Sequence, residues 1–336
     1  MIVYISEQGA KLRREGERLI VAGKDGVKIL FAHELEKIVL FGNVHMTAQA
    51  RSLLLKRGIE TLFLSSDGSY RGQLCGHEGE NVFLRKKQYD LLNDEGFILR
   101  MARAIVMAKL NNQAIILNRL RREDHIDGAE HGINELRTLI NEAREEKTVD
   151  SLRGIEGSGA NAYFKYFAGA FHSDWGFEKR VRRPPTDPVN AVLSLLYTLL
   201  ADRCAAACRI AGLDPYPANL HALEYGRQSL PLDLVEEFRA FVADMETVAL
   251  FNTRQLKNDD FSRDQDDEDS TGAVTLRKEA LGKVLGAFAK KLATGFAHPE
   301  TGEMITYAKA ITEQARIYRE AVEGKIAVYT PIVWHK

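Results

Sequence analysis

Hydrophobic residues in the first 85 positions come in short runs that polar turns separate. The runs are rich in β-branched and aromatic residues, which favour strands. They lie at Ile2–Ile5, Arg18–Ala22, Val27–Phe31, Lys37–Phe41, Glu60–Leu64 and Ser69–Leu74. One stretch, Thr47–Lys56, instead spaces its apolar residues as a helix does, and Gly58 stands just past its end. The pattern predicts a small β-sheet domain with one helix over residues 1–85.

From residue 93 onward the apolar spacing becomes helical. The segment Gly96–Arg122 repeats apolar residues every three or four positions. Similar spacing predicts further helices near residues 130–145, 158–172, 188–211, 230–250, 275–294 and 302–324. No strand is predicted among them, so residues 93–336 are expected to form a larger, all-α domain. The predicted fold class is therefore α+β, with the small β-sheet domain first and the helical domain after it.

The charge of the chain is unevenly distributed. The net charge is −1 over 336 residues, which weakly disfavours a nucleic-acid partner because such proteins usually carry a basic surface. However, residues 257–270 alone carry −5, so the rest of the chain carries +4. Residues 257–272 are predicted to form an acidic loop, in which Asp269 stands where a calcium-binding EF-hand needs glycine. Basic residues cluster at 179–183, where a solvated surface explains them as well as a phosphate contact does.

Three features bear on where the protein works. The N-terminus has no basic segment followed by an apolar run, so it is expected to be a first strand and not a signal peptide. No window of about 18 uninterrupted apolar residues is found, so a membrane span is not expected. Three cysteines in 336 residues suit a reducing compartment. A cytoplasmic protein with no membrane partner is the prediction.

Glu156 stands among glycines just ahead of an apolar helical stripe. The apolar residues between Ala160 and Phe171 fall within one arc of about 100° on a helical wheel. If the helix begins before Glu156, its carboxylate lies in the same arc and needs a cation, a proton or another partner. If the helix begins later, Glu156 is a first-turn acid that the helix dipole favours. The pattern alone leaves both alternatives open.

His221 and Glu236 are two further candidates. His221 follows a proline-interrupted loop, and a single histidine is more often structural than a ligand. Glu236 lies opposite the apolar stripe of its predicted helix, beside Ala240 and Ala243. Small residues there would let a second helix approach, so Glu236 is expected to project into a helix–helix cleft. The alternative is a capping box, with Asp233 as the N-cap and Glu236 three residues later.

Glu156, His221 and Glu236 would together supply two carboxylates and one imidazole. Such a ligand set suits Mn²⁺ or Mg²⁺ better than structural zinc, which prefers thiolates and more histidine. Few protein ligands leave coordination positions for water and substrate oxygens. That arrangement fits phosphoryl transfer, in which a metal offsets the charge on the phosphate.

Four segments of the chain, in order, resemble the motifs of the CRISPR adaptation endonuclease/integrase, the "Cas-one" family. The matching residues are Ile155-Glu156-Gly157 with Tyr163-Phe164, Arg182-Arg183-Pro184-Pro185 with Asp187-Pro188, Gly212-Leu213-Asp214-Pro215 with Leu220-His221, and Ser229-Leu230 with Asp233-Leu234, Glu236 and Phe238-Arg239. The resemblance covers essentially the whole chain, including the order of the two domains. Four motifs in order make a specific match.

The resemblance implies a site, a reaction and an assembly. Glu156, His221 and Glu236 would be catalytic and would bind Mg²⁺ or Mn²⁺, with Asp233 as a second acid at the metal. A 3′-hydroxyl of a short DNA fragment, the new spacer, would attack a phosphodiester at the repeat boundary of a CRISPR array. Members of the family also cleave DNA. They work as homodimers bridged by a small ferredoxin-like "Cas-two" partner, so residues 1–85 would form the dimerisation domain.

Arg182, Arg183 and Arg227 are candidates for contacts with DNA phosphates.

Two other functions are possible alternatives. One is a non-catalytic DNA-binding scaffold of the same fold, against which the three intact candidate ligands argue. The other is a metal-dependent phosphohydrolase that acts on small molecules and ignores DNA. The lack of a strongly positive net charge favours the phosphohydrolase over a DNA enzyme.

Overall fold

The N-terminal part of the chain is built from strands. A computed structural model describes residues 2–24, 26–66, 68, 70–74, 76, 81–124, 126–182, 184–263 and 272–334. The N-terminal strands are β1 (Ile2–Ile5), β2 (Lys11–Glu15), β3 (Arg18–Gly23), β4 (Gly26–Phe31), β5 (Lys37–Phe41), β6 (His45–Met46), β7 (Glu60–Leu64) and β8 (Tyr70–Leu74). One helix, α1 (Ala48–Lys56), lies among them, and the Thr47 side chain caps it by accepting the N–H of Ala50.

These strands form two sheets with a shared core. One sheet has the order β1-β5-β7-β8, in which β1, β5 and β7 are parallel and β8 is antiparallel. The other has the order β4-β3-β2-β6. Leu53 and Leu54 of α1 pack with Leu12, Leu19 and Ile38 in a buried cluster between the elements. The predicted strands and the predicted helix are all present.

The rest of the chain is mostly helical. Its helices are α2 (Val82–Asp90), α3 (Glu95–Asp124), α4 (Ala129–Glu145), α5 (Val149–Phe167), α6 (Pro188–Ile210), α7 (Ser229–Val235), a π-helix (Arg239–Asp244), α8 (Met245–Asn252), α9 (Lys278–Ala293) and α10 (Tyr307–Glu323). A β-sheet region followed by a mostly helical part confirms the predicted fold class. α6 is long and apolar enough to cross a membrane, but 67% of its most apolar 18-residue window is buried inside the protein.

The prediction that no strand occurs after residue 93 is wrong in detail. Two short antiparallel pairs are present: β9 (Phe261–Arg263) with β10 (Val274–Leu276), and β11 (Gly295–Ala297) with β12 (Met304–Thr306). Strands of three residues are too short for a two-residue hydrophobic period to show in the sequence. β9 also falls inside the predicted acidic loop, whose residues 264–271, Asp269 included, lie outside the described residues.

The helix α3 positions the site because it runs through the middle of the helical part. Its 30 residues pack against α4 and α5, and Leu110 and Leu117 are fully buried there. Phe41 and Leu64 of the first sheet belong to the same hydrophobic core. The face of that sheet away from α1 is thus continuous with the helical core.

Candidate metal centre

Glu156 lies in the body of α5 and not in its first turn. The helix begins at Val149, where the Thr148 side chain accepts the N–H of Ser151, and its first-turn acid is Asp150. The alternative that Glu156 is a first-turn acid is therefore wrong. Its side chain is 23% exposed and lines a cavity together with Ala160 and Phe164, which belong to the predicted apolar arc.

A close approach between α5 and α3 brings Glu156 to its partner. At Gly159, one turn after Glu156, an added Cβ would lie 2.1 Å from Cδ2 of Leu110 on α3, which is closer than real Cβ contacts allow. Glycine at this position therefore lets the two helices touch. Lys109 precedes Leu110 on α3, and its ammonium contacts Oε1 of Glu156.

A loop held by Asp233 presents His221. The buried Asp233 carboxylate accepts the backbone N–H groups of Asn219 (2.8 Å), Leu220 (3.0 Å) and His221 (3.0 Å). It also lies 2.7 Å from Nδ1 of His221, which donates to it because an ionised carboxylate only accepts. This fixes the ring so that Nε2 lies 3.8 Å from Oε1 of Glu236. Asp233 is thus an anchor for the loop and not the N-cap of a capping box, since α7 begins four residues earlier, at Ser229.

Glu236 is buried among cations. It is 2% exposed, follows the last residue of α7, and reaches across to α3, as expected for a side chain in a helix–helix cleft. Its Oε2 lies 2.6 Å from the Lys109 ammonium, and its Oε1 lies 3.2 Å from Nη2 of Arg239. Burial raises the pKa of Glu236, but Arg239, Lys109 and His221 outweigh this and lower the pKa to about 2. The carboxylate is therefore ionised at neutral pH.

Lys109 lies between the two carboxylates. Its side chain is 2% exposed and contacts both Glu156 and Glu236. The contact with Glu236 is an ion pair, in which the ammonium lies 2.6 Å from Oε2. Glu156 and Glu236, 80 residues apart in the sequence, thus converge on one point that a positive charge occupies.

A cavity of about 530 Å³ opens beside Glu156. Its wall carries more cations than carboxylates: Lys109, Lys165, Lys179, Arg180, Arg182 and Arg239 against Glu156, Glu178 and Asp244. The excess of positive charge suits an anion such as a DNA phosphate. A second cavity of about 410 Å³ shares Arg180, Arg182, Tyr197 and Arg239 with the first.

A tyrosine fixes two of these arginines. The guanidinium groups of Arg180 and Arg239 lie over the Tyr197 ring, 5.3 and 4.7 Å from its centroid. The Tyr197 hydroxyl donates to Asp244 at 2.5 Å. Burial raises the pKa of Asp244 to about 6, against the opposing effect of the hydrogen bond from Tyr197 and of the nearby Arg239 and Arg180. Arg239, which pairs with Glu236, is therefore held from two sides.

The three arginines proposed as DNA contacts fall in different places. Arg182 lines both cavities and Arg227 lines the second. Arg227 also ties its own loop together, since it donates to the Ala222 carbonyl and to Ser229 Oγ (3.2 Å) and pairs with Glu224 (2.7 Å). Arg183 lies outside the described residues.

The donor set fits a divalent cation, but not as the side chains stand. Two carboxylates and an imidazole nitrogen are ligands that Mg²⁺ and Mn²⁺ accept, and Oε2 of Glu236 points to the spot that Lys109 fills. Nevertheless, no three His, Cys, Asp or Glu side chains in the described part of the chain lie close enough together to hold a metal ion. Binding a metal here requires the ammonium of Lys109 to move.

Comparison with known proteins decides the family. The model of the family described as CRISPR associated protein Cas1 matches residues 3–290. The chain belongs to the Cas1 family. It is 36% identical over 333 residues to CRISPR-associated endonuclease Cas1 3 of Thermus thermophilus, a match that covers 98% of this chain and 96% of the relative. The predictions of this family and of an enzyme of the endonuclease class are confirmed.

Solved structures with the Cas1 fold cover nearly the whole chain. The structure of TM1797, a CAS1 protein from Thermotoga maritima, superposes with a TM-score of 0.83 at 25% identity and covers 98% of both chains. A casposase bound to an integration product superposes with a TM-score of 0.86 at 20% identity and covers 99% of this chain and 94% of its own. At that identity the casposase shows a shared fold only.

Sequence reasoning missed Lys109 and Arg239 in this Cas1 chain. Lys109 follows Ala102 and Val106 at helical spacing, so its charge lies on the apolar face of α3. The argument that made Glu156 a candidate, a charge on a buried stripe, also applies to Lys109. Arg239 lies in the Phe-Arg pair that was quoted only as part of a motif.

Proposed function

We propose that this Cas1-family chain is a metal-dependent DNA endonuclease and integrase that inserts new spacers into a CRISPR array. In the proposed step the 3′-hydroxyl oxygen of the incoming fragment forms a bond to a phosphorus of the array strand. The attacking hydroxyl gives up its proton, the bond from that phosphorus to the 3′ oxygen of the array strand breaks, and the released oxygen takes up a proton. Cleavage of DNA is the same exchange with water as the attacking group.

One observation carries this proposal: two carboxylates converge on a buried cation beside a cation-lined cavity, and a histidine lies next to one of those carboxylates. Glu156 and Glu236 both contact Lys109, and Nε2 of His221 lies 3.8 Å from Glu236. A non-catalytic scaffold would not need a second carboxylate beside the buried Glu236, since burying the charge of Glu236 is costly unless a cation offsets it.

The residues of the site would have different roles in binding and holding the metal ion. Glu156, His221 and Glu236 would hold Mg²⁺ or Mn²⁺, whose charge would offset that of the reacting phosphate. Asp233 is bonded to Nδ1 of His221, so it acts through the histidine by fixing its ring, and a direct bond from Asp233 to the ion is the weaker part of the proposal. Arg239 would keep the Glu236 carboxylate ionised and in place.

The cavity cations would bind and position the DNA backbone. Lys165, Lys179 and Arg182 line the same cavity as Glu156. Phosphate contacts of this kind position a nucleic acid without reading its sequence. A local excess of cations also explains how a chain with net charge −1 could bind DNA.

We also propose a homodimer and a small "Cas-two" partner. The edge strand β4 exposes Val27 (65%), Ile29 (49%) and Phe31 (43%), which alternate along the strand and so share one face. An exposed apolar edge strand is a surface that another chain can cover. This supports the β-sheet region as the dimerisation domain. A cytoplasmic location, where the CRISPR array would be accessible, stays a prediction.

The proposal is tested with labelled DNA. Branched DNA and 3′-overhang DNA are incubated with the protein and Mn²⁺, alongside Glu156→Ala and His221→Ala. Strand transfer or nicking is expected with the wild type and is expected to be lost in both variants. Glu135→Gln removes an exposed carboxylate of α4 and serves as a matched control that keeps the activity.

Three results would contradict the proposal in different ways. Chemistry that persists in Glu156→Ala and His221→Ala would place the active site elsewhere. DNA binding without metal-dependent chemistry would favour the non-catalytic scaffold. Hydrolysis of nucleotides with indifference to DNA would favour the small-molecule phosphohydrolase.

A further inference from the structure

Lys109 is a buried cation whose partners are both candidate metal ligands. Its ammonium contacts Oε1 of Glu156 and lies 2.6 Å from Oε2 of Glu236. The lysine side chain is only 2% exposed, so its charge depends on these carboxylates for compensation. The reverse also holds, because two carboxylates that point at one spot repel each other unless a cation lies between them.

The ammonium and a divalent cation would need the same oxygens. Oε2 of Glu236 lies 2.6 Å from the ammonium, so a metal ion could reach this oxygen only if the ammonium moved away. With Lys109 in this position, the acidic and histidine side chains of the described residues do not form a three-ligand group. A metal ion and the ammonium at this spot would also repel each other, since both are positive.

The Lys109 side chain has a place to move to. It lines the cavity of about 530 Å³ beside Glu156, and a lysine stem has four rotatable bonds. In the cavity the ammonium would join Lys165, Lys179 and Arg182, which also line it. A lysine displaced from the carboxylates would therefore stay in the wall of this cavity, with its charge no longer paired with Glu156 and Glu236.

We propose that Lys109 is an internal counter-cation, which holds Glu156 and Glu236 together in the metal-free protein and which a divalent cation must displace. The inference rests on the proposed metal-dependent function and concerns how the site is kept ready before the metal binds. Lys109 is a positioning residue in the metal-free protein and a competitor of the metal. It lowers the metal affinity while it stabilises the empty arrangement of carboxylates.

Mn²⁺ binding to the purified full-length protein, measured by isothermal titration calorimetry without DNA, tests this directly. Lys109→Met removes the charge but keeps a long side chain, and it is expected to bind Mn²⁺ about tenfold more tightly than the wild type. Lys109→Arg keeps the charge as a matched control and is expected to bind no more tightly than the wild type. Glu156→Gln shows which part of the binding belongs to this site.

Thermal unfolding supplies a second readout that does not depend on activity. In EDTA, Lys109→Met is expected to melt at a lower temperature than the wild type, because the two carboxylates lose their counter-charge. Excess Mn²⁺ is expected to raise the melting temperature of Lys109→Met by more than it raises that of the wild type. If Lys109 only fills space, Lys109→Met should lower the melting temperature by the same amount in EDTA and in Mn²⁺.

The outcomes separate this inference from the proposed function. If the wild type binds Mn²⁺ in a Glu156-dependent way and Lys109→Met binds it no more tightly, Lys109 is not a competitor and only this inference fails. If no variant shows Glu156-dependent Mn²⁺ binding, the metal site fails as well. Should Lys109→Met be unfolded in EDTA, refolding on addition of Mn²⁺ supports the inference. Failure of both Lys109→Met and Lys109→Gln to refold with Mn²⁺ overturns it.

Discussion

Two adjacent glutamates face two different regions of the molecule and behave in opposite ways. Glu236 is buried behind the wall of the cation-lined cavity, where it contacts Lys109 and Arg239. These two cations and His221 lower its pKa to about 2. Glu237 faces the C-terminal strap, residues 329–334, where it accepts the Tyr329 hydroxyl and the Ile332 N–H at 2.6 Å. Burial, which these two hydrogen bonds only partly oppose, raises the pKa of Glu237 to about 8.

The contrast shows that burial alone does not decide the charge of an acid. Both glutamates are 2% exposed, so both lose the same access to water. What differs is the presence of cations on one side and neutral donors on the other. An ionised buried carboxylate is suited to a metal or a cationic partner, whereas a neutral one is suited to holding a chain segment in place.

Neighbouring turns of α3 contact the surroundings of Glu236 and the C-terminal strap. Lys109 contacts Glu236, and Asn112, one turn later, donates to the carbonyls of Glu237 and Ile332 at 2.9 Å each. Asn112 also accepts the Trp334 N–H at 3.1 Å. Loss of Lys109 should therefore affect the site, whereas loss of Asn112 should affect the strap.

The largest expected effect comes from neutralising each glutamate in turn. Glu236→Gln is expected to reduce metal-dependent strand transfer about 10³-fold or more, because loss of a metal ligand removes several kcal/mol of charge stabilisation. Glu237→Gln is expected to stay within about threefold of the wild type, because its partners are structural. Both rates are measured under single-turnover conditions with saturating Mn²⁺. If both variants are folded and lose the same fraction of the strand-transfer rate, Glu236 and Glu237 do not differ in function.

Asp233→Asn tests how far the site depends on the loop behind it. The carboxylate accepts three backbone N–H groups and the His221 ring, and an asparagine has only one acceptor oxygen to replace both carboxylate oxygens. Activity is expected to fall about 10- to 100-fold, as for other residues that orient a metal ligand. The free energy of unfolding in urea is expected to fall by about 1–3 kcal/mol because buried donors lose their acceptor.

A control shows whether the effect of Asp233→Asn passes through the histidine. The Asp233→Asn, His221→Ala double variant should be no less active than His221→Ala alone if Asp233 acts by orienting the ring. A further loss of activity in the double variant would mean that Asp233 contacts the metal or the substrate itself.

The fold could be predicted where the local pattern and the burial agree. The strand Lys37–Phe41 is buried at every residue, and its apolar run predicted the observed bounds. The strand Lys11–Glu15 has a single buried residue, Leu12, so its sequence shows no alternation to detect. The apolar spacing predicted a helix from near residue 158 and left open whether it extends back past Glu156, whereas α5 begins at Val149. Gly154, Gly157 and Gly159 disfavour a helix, but packing against α3 overrides that preference.

The site could be predicted in part for the same reason. Glu156, His221, Asp233 and Glu236 were found as candidates from motif and position. In the structure, Lys109 joins Glu156 to Glu236, and His221 lies between Glu236 and Asp233. The charge of Lys109 on an apolar helix face could have been noticed in the sequence, but its pairing could not, because its partners lie 47 and 127 positions away along the chain. The opposite pKa shifts of Glu236 and Glu237 could not be predicted, since they depend on which neighbours the fold places beside each carboxylate.

Glu236 and Glu237 should also differ in how they make the stability of the protein depend on pH. Glu237 has a folded pKa of about 8, above its unfolded value near 4.5, so its stabilising effect is full below pH 4.5 and is lost as the pH rises through 8. Glu236 has a folded pKa of about 2, so its effect is constant above pH 5 and is lost only as the pH falls through 2. Between pH 5 and 8, the free energy of unfolding of the wild type is expected to decline relative to that of Glu237→Gln.

Urea unfolding at pH 5, 6, 7 and 8 measures this difference. Tyr329→Phe removes a hydrogen bond to Glu237 but leaves the acid in place, so it should keep the decline with pH that Glu237→Gln loses. Parallel pH profiles for the wild type and Glu237→Gln would show that Glu237 does not titrate in this range, and that the two glutamates are both ionised.

The smallest expected effect concerns the cations that make the Glu236 side different. Arg182 lines the cavity, but the cations that contact Glu156 and Glu236 are Lys109 and Arg239. Arg182→Ala should therefore leave Mn²⁺ binding unchanged. Loss of one phosphate contact is expected to weaken DNA binding a few-fold and to reduce the slope of log affinity against log salt concentration by about one. Lys28→Ala, on the exposed strand β4, removes a cation outside both cavities and should leave the slope unchanged. An equal slope for Arg182→Ala and the wild type would mean that Arg182 does not contact DNA phosphates. The cations of the cavity would then lower the pKa of Glu236 without binding DNA.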